Sequence, residues 1–154
     1  MECGRRHSRW AATLAVWILV GQSGRILALD QTLQAMKSRI STTSMAERPQ
    51  LCIDISERQL EIATQFYVAG ETEKAQAALA DVAAFSELAR DYAIQSHRKQ
   101  KQSEIAIRKM ARKLEDLKHT VVQEDQKEIQ ETINRLQTLR DDLLGSMFSQ
   151  GGKK

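Results

Sequence analysis

The stretch Glu73 to Lys118, EKAQAALADVAAFSELARDYAIQSHRKQKQSEIAIRKMARKLEDLK, decides how this chain folds. Its first half places Ala75, Ala78, Leu79, Val82, Phe85, Leu88, Ala89, Tyr92 and Ala93 mostly at three- and four-residue steps, the spacing of one face of an α-helix. A polar interval follows from Gln95 to Glu104, and the same period resumes with Ile107, Met110, Ala111, Leu114 and Leu117. The interval holds neither proline nor glycine. The economical reading is therefore one long helix over 73–118, roughly 70 Å at the usual rise per residue. A bend near Ser96 to Ser103 is the alternative.

Upstream, Leu51, Cys52, Ile55, Ile62, Phe66 and Ala69 predict a helix over 49–69. Pro49 suits its first turn, where a missing N–H costs nothing, and Gly70 suits its end. Thr72 is a candidate N-cap for the long helix. Downstream, Ile129, Ile133, Leu136, Leu143 and Met147 predict a third helix over 125–148, opened by Asp125 with Glu128 three residues on. Residues 29–48 read as a short helix carrying Leu33, Met36 and Ile40, followed by a polar connection, and 149–154 as a disordered tail. The expected fold is all-α: elongated antiparallel hairpins around one long central helix, with coiled-coil-like packing. The polar centre of that helix would lie where neither partner covers it. Aromatics are scarce, so the core must come from Leu, Ile, Ala, Val and Met, and such thin stripes favour self-association.

Ala63, Phe66, Gly70, Ala75, Leu79 and Val82 follow one another as a small residue and an aromatic, a turn glycine, then small and large apolar residues. This pattern resembles one tetratricopeptide (TPR) hairpin, over about 34 residues. The resemblance implies that these six residues pack the two helices together. The closing proline is missing, Glu87 stands near its place, and no second copy follows, so a superhelical peptide groove is not implied. As a whole, the chain is also similar to small exported all-helical bacterial proteins of unassigned function, a resemblance that carries no catalytic motif.

The first 28 residues read as a signal peptide. Arg5, Arg6 and Arg9 precede the uncharged run Trp10 to Val20, and Gly21 to Gly24 supplies small residues for a cut after about 23–28. The apolar run is too short for a bilayer span, which takes roughly 20 residues. The expected location is the periplasm or the cell exterior. The whole chain has 23 Lys and Arg against 20 Asp and Glu, and the leader holds four of the bases and one acid, leaving 19 of each. The apparent basicity therefore belongs mostly to the leader and is no argument for nucleic-acid binding. Cys52 is the one cysteine beyond the leader, so an internal disulfide is excluded and a buried thiol is expected.

His97 and His119 lack partners at metal-ligand spacing, and no phosphate loop, nucleophile elbow or zinc-protease motif occurs. Adjacent acids such as Glu115-Asp116 and Asp141-Asp142 point about 100° apart on a helix and do not make an acid/base pair. No enzyme, metal or cofactor is expected. The sharpest local feature is basic: Arg98, Lys99, Lys101, Arg108, Lys109, Arg112 and Lys113 lie mostly opposite the Ile107-Met110-Leu114 stripe. They read either as a solvated face, partly neutralised by Glu124, Glu128 and Glu131 of the next helix, or as contacts to an anionic membrane or cell-wall polymer. A protein partner or homo-oligomer is the leading expectation. Nucleic acid is disfavoured, because no aromatics interleave with the bases.

Overall fold

The computed structural model describes residues 31–151, and within them the chain is all-α. The leader expected over 1–28 and the last residues of the expected tail lie outside the described residues. Helix α1 covers residues 31–39, α2 Arg48–Val68, α3 Thr72–Ser96, α4 Gln100–Lys118 and α5 Gln123–Gly151. Five helices stand where three main ones and a short one were expected.

The helix α2 begins with Pro49 in its first turn, as the missing N–H allows, and is closed by Gly70 at φ +74°. The turn carbonyls are satisfied: Gly70 N donates to Tyr67 O at 3.1 Å and Glu71 N to Phe66 O at 2.9 Å. Helix α3 runs back along α2. Gln59 meets Asp81 (2.6 Å), Ser56 meets Ser86 (3.3 Å) and the Arg48 guanidinium lies 5.4 Å from the Tyr92 ring centre, so the pair is antiparallel along its full length. Small residues set the approach. Ala63, Ala75 and Ala89 are fully buried, and the buried Ser56 hydroxyl donates to the carbonyls of Cys52 and Val82, so this close approach leaves the Ser56 hydroxyl satisfied. The short α1 lies against this hairpin through buried Leu33 and through Lys37, whose ammonium sits 2.8 Å from Asp81 and 5.1 Å from the Phe85 ring centre.

The single long helix over 73–118 is not formed. The chain breaks after Ser96, where His97 (φ 53°) and Lys99 (φ 61°) both take the left-handed conformation. Non-glycine residues in this region cost about 1–2 kcal/mol each, so something larger must hold the break. Packing supplies it. Ile107, Met110, Leu114 and Leu117 of α4 are buried with Ile129, Ile133, Leu136 and Leu143 of α5, in the same core cluster as the first hairpin. Fully burying one such side chain contributes about 1.5–3 kcal/mol. Two helical hairpins therefore lie side by side, in place of a three-helix rod.

Their registers fix the topology. Lys118 meets Gln130, Glu104 meets Arg140 and Gln100 meets Ser146, so α4 and α5 are antiparallel. Thr72 meets Asp125, Glu87 meets Arg135 and Arg90 meets Asp142, so α5 runs parallel to α3. Asp125 and Thr72 thus differ from their expected capping roles. Asp125 is buried in the first turn of α5 and accepts from the Thr72 hydroxyl at 3.2 Å, tying the two hairpins together at one end.

Part of the polar centre of the long helix is also covered, contrary to the sequence reading, while Gln95, His97, Arg98, Lys101 and Gln102 stay exposed. Gln100, Ser103 and Glu104 are buried, because breaking the helix folds this segment onto the rest of the molecule.

Candidate interaction surface

Among helices α2 to α5, α4 has the sharpest two-sidedness. Ser103, Ile107, Met110, Ala111, Leu114 and Leu117 face inward, while Lys101, Ile105, Arg108, Lys109, Arg112 and Lys113 are exposed. The exposed set follows from the same period as the buried one, shifted by half a turn. Of the bases singled out from the sequence, these five lie together on α4. Arg98 and Lys99 fall in the break, where the Arg98 amide donates to Ser96 Oγ at 3.3 Å and Lys99 supplies a carbonyl to Ser103.

The neutralising acids are not the expected ones. Glu128 and Glu131 line a groove with Gln76, Ala80 and Ala83 of α3, because α5 turns that edge toward the first hairpin. Glu104 takes the role instead. It is 7% exposed, and its Oε1 lies 3.1 Å from Arg140 Nε and 3.5 Å from Arg108 Nε. A carboxylate so covered needs a cation, and two guanidiniums meet that need. Glu115 pairs with Lys118 at 3.0 Å. Arg112, Lys109 and Lys113 make no ion pair among the described residues.

Between α4 and α5 lies an open groove of about 330 Å³, lined by Arg108, Arg112, Glu115, Gln137 and Arg140 over Ala111 and Leu136. Sequence reading found Arg108 and Arg112 but missed Glu104 and Arg140. Glu104 was legible: carrying the Ile107-Ala111-Leu114 stripe one turn back reaches it. Arg140 was not, since its place depends on the register of α5.

The six residues of the TPR-like pattern occupy the α2–α3 hairpin. Ala63, Ala75, Leu79 and Val82 are buried, Gly70 makes the turn, and Phe66 is half-buried against the core with the Lys74 ammonium 5.5 Å from its ring centre. Cys52 is a free, fully buried thiol on α2; burial pushes its pKa up to about 11, with Arg48 offsetting this in part. Such a thiol is a packing group. Tyr67, near the end of α2, has a buried hydroxyl without a hydrogen-bond partner. Burial, then the carboxylates of Asp125 and Glu128, push its pKa up to about 12.

Among the described residues, no group of three or more His, Cys, Asp or Glu could hold a metal ion, and no helix is long and apolar enough to cross a membrane. The fold and surface define a small all-α protein of two packed helical hairpins. No protein-family model matches the chain, and no curated protein or solved structure matches it significantly.

Proposed function

We propose that this is an exported, non-enzymatic helical protein that acts by binding another protein of the cell envelope or by self-association. The observation that carries the reading is the exposed basic face of α4 beside a groove in which Glu104 holds Arg108 and Arg140 in place from below. Side chains fixed before contact lose less entropy on binding, which favours recognition of a shaped partner. Export rests on the leader pattern of the sequence, and the TPR-like reading of α2–α3 rests on its small-residue packing around Gly70. A hairpin of that kind, with a second one packed on it, is a scaffold for contacts along helix faces.

Cross-linking the protein in its own cell envelope tests this, with analytical ultracentrifugation of the purified chain beside it. A discrete cross-linked partner or a stable oligomer is the expected result. A clean monomer that captures nothing overturns the reading.

The same five bases of α4 support a second reading, peripheral binding to an anionic membrane or polymer. Salt-sensitive sedimentation with anionic vesicles, lost when Arg108, Lys109, Arg112 and Lys113 become Gln, would establish it.

A further inference from the structure

The α4–α5 groove differs from an ordinary charged surface in three respects. Arg108 and Arg140 approach from opposite helices and share one covered carboxylate, Glu104, which orients both forks, and Arg140 also meets the exposed Asp141 at 3.4 Å. Arg112, one turn beyond Arg108 on the same face, completes the rim and has no ion-pair partner among the described residues. The other acid of the rim, Glu115, is already matched by Lys118. Three guanidiniums thus meet two carboxylates, Glu104 and Asp141, around a recess whose floor is Ala111 and Leu136, with positive charge left over. Planar guanidinium forks match carboxylate oxygens in geometry as well as charge.

We propose that this groove receives a carboxylate side chain from an acidic peptide segment of a partner protein, clamped between Arg112 and Arg140. The inference deepens the protein-binding reading above and rests on it. Lys101 and Lys109, about two turns apart, extend the exposed face of α4, ready for further acids on a docked helix or strand. Ile105, 43% exposed between them, gives that segment an apolar contact. A lipid surface is a poorer match. Its headgroups form a broad plane, the groove is recessed between two helices, and this face of α4 offers just one large apolar side chain for insertion. Nucleic acid fits less well still, since α4 carries no aromatic residue on which a base could stack.

The test uses the full chain and fluorescence anisotropy with an amphipathic peptide bearing glutamate at every fourth position, against its glutamine twin. The glutamate peptide should bind about tenfold more tightly than the twin. Arg112→Gln, which leaves no buried partner stranded, should weaken binding about tenfold, whereas Lys109→Gln, outside the groove, should weaken it about twofold. Arg140→Lys keeps Glu104 paired but loses the fork, and should fall between them. Equal binding of the two peptides, or equal effects of Arg112→Gln and Lys109→Gln, overturns the clamp. So does binding to phosphatidylglycerol vesicles that competes with nothing and leaves the peptide unbound. If envelope cross-linking captures a protein partner that Arg112→Gln captures equally well, the clamp fails while the protein-binding reading survives. If neither peptide nor partner is captured, both fail.

Discussion

Two reversals of the chain, at Gly70 and at His97 to Lys99, do the same mechanical task by opposite means. At Gly70 the turn residue itself favours the left-handed conformation (φ +74°), and nothing lies within 4 Å of where a Cβ would project. The local sequence asks for that turn. At His97 and Lys99 two side-chain-bearing residues are held at φ 53° and 61°. The local sequence resists that turn, and the second hairpin imposes it by burying α4 against α5. The first reversal is a property of its residue and the second of the whole fold.

The largest expected effect removes the packing that holds the second reversal. Leu114→Ala deletes a side chain that is 0% exposed and should cost about 2–5 kcal/mol of unfolding free energy, while Ile105→Ala, on the outer face of α4, should cost under about 1 kcal/mol. Denaturant unfolding of the two variants measures the contrast. Equal losses would mean that α4 does not present these faces.

The first reversal should be sensitive to its own residue. Gly70→Ala should destabilise by about 1 kcal/mol through backbone strain alone, since a methyl group there meets no neighbour. An unchanged midpoint would show that the turn can relax away from positive φ.

A smaller effect sits beside that turn. The Tyr67 hydroxyl is buried and unpartnered, so Tyr67→Phe should stabilise the protein by up to about 1 kcal/mol at neutral pH. Its pKa is raised from near 10 to about 12 in the folded state. The unfolded chain therefore loses its proton first, and stability should fall as pH rises from about 10 to about 12. A pH series of melting temperatures should show this fall reduced in Tyr67→Phe. An equal fall in both proteins would assign it elsewhere.

Much of the fold was legible. The ends of α2 followed from Pro49 and Gly70, and most inward residues of the long helices followed from their period, although Leu88 of the predicted stripe is exposed and the buried Ile53 and Leu60 fall outside it. The break was legible only as the alternative, a bend near Ser96 to Ser103, because the interval holds no proline or glycine to mark it. The cost of two left-handed residues is visible locally, whereas the gain comes from Ile129, Ile133 and Leu143, thirty or more positions away. The candidate surface divides along the same line. Arg108, Lys109, Arg112 and Lys113 followed from composition and period. Arg140, which makes their edge a groove, depends on how α5 lies along α4. That Glu124, Glu128 and Glu131 of α5 would neutralise the bases of α4 failed for the same reason: the sequence does not say which hairpin that side of α5 faces.

The central claim, that α3 and α4 are separate helices joined by left-handed residues, can be tested at one position. Replace Lys99 by glycine and by alanine, and measure the unfolding free energy of each. Glycine adopts φ 61° without strain, so the two-hairpin fold predicts that Lys99→Gly is more stable than Lys99→Ala by about 1 kcal/mol. In a continuous helix the order reverses, with glycine the worse by about 1 kcal/mol, and that result would contradict the account.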